Sequence, residues 1–268
     1  MKVSLITGAS GGIGAAFAEK LAAEQHNLLL VARSEEKLKK ISGTLSAKYK
    51  ITARYLAVDL SKPGADELIY DETARNGWQI EYLINNAGIG SGGDFLEYKL
   101  EEYQTMMQLN MNALVALTYR FLPQMRERRS GTIINVGSMA GFGPIPYMNV
   151  YAATKIFVRS FTQALWEENR PYNVQVMLLC PGATETGFFD AAKIGPDRKK
   201  NFSTKRLETP EQVVNAAMKG LKNKKVITIS GMQNKIGRVL LLVLPVPMTA
   251  LLRVYGNMMR RNLNLEVK

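Results

Sequence analysis

Cysteine and histidine are nearly missing from this chain, which holds one of each, Cys180 and His26, in 268 residues. A lone cysteine excludes an internal disulfide framework and any cysteine-based metal cluster, and behind Pro181 it is expected to be a buried, inert thiol. A lone histidine removes serine–histidine catalysis unless that residue serves, and its place in Glu24-Gln-His-Asn27 reads as a surface turn. No metal-ligand set is visible. Long apolar runs are lacking too. The longest uncharged stretch, Val239–Leu252, has 14 residues and is broken by Pro245 and Pro247, too short and too interrupted to span a bilayer. The chain enters a strand pattern at Lys2, leaving no room for a signal peptide, so the expected location is cytoplasmic.

Acidic residues are scarce at one end. Residues 1–217 carry 25 basic and 22 acidic side chains, whereas residues 218–268 carry 10 basic and one acidic, within a net charge of +12. That asymmetry suits an anionic partner or surface, or a merely solvated basic end. Nucleic acid is not expected, because no platform of interleaved aromatic and basic residues is evident.

What is present is apolar and periodic. With 46% apolar residues the chain is globular and long enough for one large domain. Lys2–Thr7, Asn27–Val31, Ile51–Val58, Ile80–Asn85, Thr132–Gly137, Val174–Cys180 and Val226–Ser230 have strand character. Helical patterns fall between them: Ala15–Ala23, Ser34–Lys50, Pro63–Gly77, Leu100–Arg128 with a kink expected at Pro123, Asn149–Asn169, and Pro210–Lys222 capped near Thr209. Such alternation predicts an α/β fold, a Rossmann-type doubly wound parallel sheet of about seven strands in the order 3-2-1-4-5-6-7, covered on both faces. The catalytic domain is placed at 1–231, and 232–268 forms a helical extension that is not an independent domain.

Ligands in such sheets lie beyond the carboxyl ends of the strands. Between the first strand and its helix lies Gly8-Ala-Ser-Gly-Gly12-Ile-Gly14, a glycine turn suited to a pyrophosphate at a helix N-terminus. Its spacing departs from the usual Gly-x-Gly-x-x-Gly fingerprint. After the second strand stands Val31-Ala-Arg33-Ser34, with no carboxylate before Glu35. An acid there would hold the ribose 2′-hydroxyl of NAD, and its absence together with Arg33 selects NADP(H).

Tyr151 and Lys155 are four residues apart and share one helix face. An ammonium beside a phenol is expected to pull the tyrosine below its ordinary value near ~10. Such a group passes a proton to or from an alcohol oxygen, and Ser138, at the end of the fifth strand, can hydrogen-bond that same oxygen.

These pieces together resemble the short-chain dehydrogenase/reductase family: Thr7-Gly8-x-x-x-Gly12-x-Gly14, Asp59, Asn85-Asn86-Ala87-Gly88, Asn110, Ser138, Tyr151-x-x-x-Lys155, and Pro181-Gly182 with Thr186. The resemblance covers roughly residues 2–230. It implies that Tyr151 is the acid/base, Ser138 holds the substrate oxygen, and Lys155 tunes the tyrosine and binds the nicotinamide ribose. Asn110 would anchor a water in the proton relay, with Asn112 its rival. Gly8, Ser10, Gly12, Ile13 and Gly14 would line the pyrophosphate, Arg33 the 2′-phosphate, and Asp59 and Leu60 the adenine. Asn86, Ala87 and Gly88 would lie on the adenosine ribose side, and Pro181, Gly182, Thr184 and Thr186 along the nicotinamide. Leu30-Val-Ala-Arg-Ser-Glu-Glu-Lys-Leu38 looks like the NADP-preferring branch, and the Pro181–Phe189 segment looks like little-characterised bacterial carbonyl reductases. A homodimer or homotetramer through helices 100–128 and 149–169 is implied as well.

By position, Met139, Ile145, Met148, Phe188 and Phe189 would line an apolar substrate pocket. Residues 191–206 hold six basic side chains and one acid, either a lid for an anionic substrate or a solvated loop. Beyond the core, two short helices hinged at Pro245 and Pro247 are expected, with Lys235, Arg238, Arg253, Arg260 and Arg261 around them. They cover the cleft, pack in an interface, or make peripheral membrane contact. The expected activity is NADP(H)-dependent interconversion of a carbonyl and a secondary alcohol on a medium or long apolar small-molecule substrate. The alternatives are a nucleotide-binding regulator without turnover and a membrane-surface reductase anchored by its tail.

Overall fold

Consecutive residues of a strand point to opposite faces of a sheet, so a strand buried on both faces must be apolar throughout. β1 (Lys2–Thr7), β2 (Asn27–Ala32) and β6 (Val174–Cys180) come close to that condition: all but one residue of each is buried, and beyond their first residues only Ser4, Thr7 and Gln175 are polar. They join β3 (Ala53–Ala57), β4 (Gln79–Asn85), β5 (Gly131–Val136) and β7 (Ile227–Ile229) in one parallel sheet ordered β3-β2-β1-β4-β5-β6-β7, as the sequence predicts. This computed structural model describes residues 1–188, 192, 207–243 and 248–262.

Alternation sends Ile6, Leu28 and Leu30 toward α1 (Gly12–Ala23), α2 (Glu35–Tyr49) and α7 (Pro210–Lys222), where Phe17, Leu21, Leu38 and Val213 complete one core. Val3, Leu5, Leu29 and Val31 face the other way. They pack with Ile69 of α3 (Ala65–Arg75), Leu117 and Phe121 of α5 (Ala113–Glu127) and Leu165 of α6 (Asn149–Asn169). Each fully buried side chain of this size contributes roughly 1.5–3 kcal/mol. The chain reverses its winding direction between β1 and β4, the place where a crevice opens at the strand ends. A buried polar ladder braces that crevice. Asn85 Nδ2 donates to Thr118 Oγ1 at 3.2 Å and to Asn135 Oδ1 at 2.9 Å, and Asn135 Nδ2 donates to Thr162 Oγ1 at 3.0 Å.

The segment expected as one helix over 100–128 is three pieces: α4 (Leu100–Met107), a π-helical turn over Gln108–Asn112, and α5. The irregularity lies at Asn110, whose side chain is bound elsewhere, and not at Pro123. Pro123 is exposed in α5, as is Tyr119 one turn earlier, so the carbonyl it leaves undonated can be served by water. The two expected terminal helices are α8 (Met232–Val243) and α9 (Met248–Asn262), while Pro245, Pro247 and residues 193–206 lie outside the described residues. Among the described residues no helix is long and apolar enough to cross a membrane.

Candidate active site

The loops after β1, β2, β3, β4, β5 and β6 bring the predicted residues to one edge. Gly8, at φ 66°, turns the chain after β1, and a Cβ on Gly14 would collide with the Gly8 carbonyl oxygen. Only a glycine lets α1 approach β1 this closely. Gly11 precedes α1 with no side-chain cap and no acid in the first turn, leaving the first-turn N–H groups available to an anion. Ser10 and Ile13 are half-buried on this loop, and Gly12 faces the methyl of Thr186. The cradle therefore fits a pyrophosphate, its walls being backbone and its bottom closed by Gly8 and Gly14.

Thr7 is the hub that holds this cradle. Its hydroxyl donates to the Ile84 carbonyl at 3.2 Å and accepts the N–H groups of Asn86 and Ala87 at 2.9 and 3.0 Å. The Asn86 amide nitrogen donates to the carbonyls of Thr7 at 2.9 Å and Gly8 at 3.3 Å, so it ties the glycine turn to β4. Leu60 is buried in the core at 4% exposure, which leaves only its backbone for an adenine. Asp59 caps Ser61, accepting its N–H and hydroxyl at 3.0 and 2.7 Å. Burial pushes its carboxyl up, but Ser61, Arg33 and Lys62 together hold it below the usual range. Arg33 is exposed beside it, open to solvent.

Ser138 follows β5. Its Oγ accepts the Ala140 N–H at 3.1 Å and the hydroxyl is hydrogen-bonded to Tyr151. Lys155 is buried one turn below Tyr151, and its Nζ donates to the Val136 carbonyl at 2.9 Å while standing 5.9 Å from the Tyr151 ring centre. The expected lowering of the phenol does not appear. Burial raises Tyr151 to about 12, with Ser138 pulling the other way, and burial lowers Lys155 to about 8. Removal from water outweighs the neighbouring charge here, because Lys155 is aimed at the backbone of β5 and not at the phenol oxygen.

Asn110 is 2% exposed, held by both backbone groups of Ile89 (N–H to Oδ1 at 3.0 Å, Nδ2 to carbonyl at 2.9 Å) and by Thr154 Oγ1 at 3.1 Å. Gly88 has Asn110 Oδ1 and Lys155 Nζ as its nearest side-chain neighbours, so the two predicted relay residues meet there. The rival Asn112 bonds Gln108 on an exposed face and takes no part. Thr154 carried no signal in sequence, being one polar residue within a helix.

After β6, the Pro181 carbonyl accepts the Met139 N–H at 2.9 Å, joining the two loops. Thr184 is buried and turns its hydroxyl back onto the Gly182 carbonyl at 3.1 Å, which removes it from the open site; Thr186 stays at the cradle. Ile145, Met148 and Phe188 pack with Tyr151, the Phe188 and Tyr151 rings lying 5.4 Å apart. Met139 instead packs with Val158, Leu178 and Cys180, and Phe189 lies outside the described residues. Cys180 is buried and burial raises its thiol to about 12, in keeping with an inert role. His26 lies at the turn before β2, partly buried, with Nδ1 3.7 Å from Glu81.

A clamp that the sequence did not disclose connects this loop to the tail. Glu208 pairs by backbone with residues 183–185, and its carboxylate accepts Ser230 Oγ at 2.7 Å and Asn234 Nδ2 at 3.2 Å. Asn234 packs directly on Gly182, and Arg238 of α8 lies 4.5 Å over the Phe142 ring. At the other side α9 covers Pro146 and Tyr147, with Arg260 Nε donating to the Tyr147 hydroxyl at 3.1 Å. These contacts lay the described part of the tail against the Gly182 loop and the Pro146–Tyr147 loop.

The short chain dehydrogenase family model matches residues 2–196. The chain belongs to that family. Among curated short-chain dehydrogenase relatives, the human very-long-chain 3-oxoacyl-CoA reductase is 34% identical over 224 residues, covering 81% of this chain and 67% of that one. The ketoacyl reductase HetN of Nostoc is 33% identical over 226 residues, covering 83% and 76%. The chain thus spans about two thirds of the length of the human relative. A solved short-chain dehydrogenase from Sphingobium yanoikuyae, in complex with NADPH, superposes with a TM-score of 0.79 at 29% identity, covering 100% of this chain and 96% of that one. Short-chain dehydrogenases are oxidoreductases that bind a nicotinamide dinucleotide and act on small molecules.

Proposed function

We propose that this protein is an NADPH-dependent reductase that converts the carbonyl of a medium or long apolar substrate, of the 3-oxoacyl thioester kind, to a secondary alcohol. The observation that carries the reading is the pairing of the half-buried Ser138 with the buried Tyr151, beside the buried Lys155 and walled by Ile145, Met148 and Phe188. A bound nicotinamide supplies the hydride. Ser138 and Tyr151 hydrogen-bond the carbonyl oxygen, and Tyr151, protonated at neutral pH as any phenol is and kept so by burial, donates its proton as that oxygen gains charge. The proton is returned to Tyr151 from solvent on the side where Lys155 and Asn110 meet at Gly88, and the Lys155 ammonium offsets the phenolate left behind. Arg33 would meet the 2′-phosphate, a preference supported by the absence of an acid at the end of β2. The thioester class is supported by the two ketoacyl-type relatives.

The test is NADPH oxidation with ketones and 3-oxoacyl thioesters graded in chain length, beside NADH and a Tyr151→Phe control. Rates should rise with apolar length and fall at least 10²-fold in Tyr151→Phe with NADPH affinity retained, within the range of about 10²–10⁴ for general acid catalysis. Arg33→Ala should weaken NADPH about tenfold and leave NADH unchanged, as the loss of one phosphate contact implies. Tight NADPH binding without turnover on any carbonyl would instead favour a nucleotide-binding regulator.

A second reading concerns location. Met232, Ile236 and Val239 stand exposed at helical spacing on α8, as do Val254, Tyr255 and Met258 on α9, among arginines. Such faces suit peripheral contact with an anionic membrane from the cytoplasmic side, or a homo-oligomeric interface. Flotation with anionic liposomes, with and without residues 232–268, separates the two.

A further inference from the structure

Between α9 and the loops after β4 and β5 lies a cavity of about 420 Å³, lined on one side by Asp94, Phe95, Pro146 and Tyr147 and on the other by Arg253 and Arg260. The two arginines are seven residues apart, two helical turns, so both lie on the helix face that lines this cavity. Gly256 stands between them. A Cβ there would meet only Pro146, at 3.7 Å, so the absence of a side chain keeps the middle of the groove open. Neither arginine has a carboxylate partner among the described residues; Arg260 bonds the neutral Tyr147 hydroxyl. The one acid on the rim, Asp94, already accepts the Leu96 N–H at 3.0 Å as the cap of a short helical turn. The cavity therefore presents an excess of positive charge carried on planar donors, the geometry that receives phosphate oxygens in pairs.

Its position gives that charge a purpose. Pro146 and Tyr147 form the outer side of the same short loop whose Ile145 and Met148 pack against Tyr151. A ligand seated on the arginines is separated from the reacting hydroxyls only by that loop. We propose that this groove binds the phosphate-bearing handle of the substrate, the phosphopantetheine end of an acyl thioester, while the acyl chain lies on the Ile145–Met148–Phe188 wall. The proposal rests on the reductase reading and deepens it by assigning a second anchoring point. Phosphate esters reach such a site from coenzyme A, from a carrier protein or from a lipid headgroup, and the experiment separates these sources.

The experiment compares the full-length protein with Arg253→Ser/Arg260→Ser, and with Arg253→Lys, on two forms of one substrate. These are 3-oxododecanoyl-coenzyme A and the N-acetylcysteamine thioester of the same acid, which has the same carbonyl and no phosphate. The expected result is a KM raised about tenfold or more for the coenzyme A form in the double variant, with kcat and the KM of the phosphate-free form unchanged. Arg253→Lys should keep part of the affinity. Raising ionic strength should increase KM for the coenzyme A form in the parent only. Calorimetric titration with coenzyme A alone, in the presence of NADPH, reads the site without turnover, and binding lost in the double variant supports it. An equal effect of the variant on both thioesters, or no effect on either, overturns the proposal while leaving the reductase standing. Binding to phosphatidylglycerol vesicles that depends on both arginines, with no coenzyme A binding, also overturns it and assigns the groove to lipid. Activity with the carrier-protein thioester but not the coenzyme A thioester, with its KM raised in the double variant, supports the site and names the carrier.

Discussion

Lys155 should lower the stability of the fold that holds it, and replacing it should show by how much. Burial lowers its pKa from 10.5 to about 8, so the folded chain at pH 7 carries a charge that would rather be in water. At about 1.4 kcal/mol per unit, the difference corresponds to a cost of about 3 kcal/mol at pH 7. The hydrogen bond to the Val136 carbonyl offsets it by roughly 1–2 kcal/mol. Lys155→Met, close in length and without charge, should therefore be more stable than the parent by about 1–2 kcal/mol at neutral pH. The advantage fades as pH rises. The unfolded chain binds more protons than the folded one between the two pKa values, so the parent gains stability as pH rises from 8 toward 10.5. Near pH 10 the residual cost is about 1 kcal/mol and the advantage of methionine should vanish. Thermal unfolding followed by fluorescence across pH 6.5–10 reads this as a gain of roughly 2–8 °C at pH 7 that shrinks to zero, alongside lost turnover. A variant less stable than the parent at pH 7, or a difference that does not change with pH, would refute the reasoning.

Two further outcomes follow from the packing. Gly14→Ala drives a methyl into the Gly8 carbonyl and should cost about 1–3 kcal/mol and most NADPH affinity, whereas Gly11→Ala, with open space around it, should change neither by much in melting or fluorescence titration. Glu208→Ala strands the buried Ser230 hydroxyl and frees α8 from Gly182; a loss of about 1–3 kcal/mol and a severalfold rise in KM for NADPH are expected, and steady-state kinetics with unchanged KM would count against the clamp.

The sheet was legible because its strands are short, apolar and bounded by turn residues, and β1, β6, α6 and α7 begin and end where the pattern places them. β3 is shorter than its pattern. Lys50 adopts a left-handed conformation at φ 58° and the Asn27 side chain takes the Thr52 N–H, so pairing starts at Ala53. The π turn at Asn110 was invisible because it depends on Ile89 and Thr154, residues distant in sequence. The same holds for the site. Tyr151, Lys155, Ser138 and Asn110 were recognisable by spacing and order, but their electrostatics depend on burial, which spacing does not report. Spacing also does not report that the Asn86 amide nitrogen and the Thr184 hydroxyl donate to backbone carbonyls nearby, which brace the loops around the site.

The knot at Glu208 makes the end of the chain an indicator of events at its centre. Residues 182, 208 and the 230–234 turn are drawn from three separate stretches, yet none can leave without loosening the others. A protease acting within α8 must first wait for this knot to open, and anything that steadies the Pro181–Gly182 turn slows that opening in proportion to its occupancy. Nicking of the extension then becomes a clock for dinucleotide binding, readable on a gel with neither substrate nor optical signal.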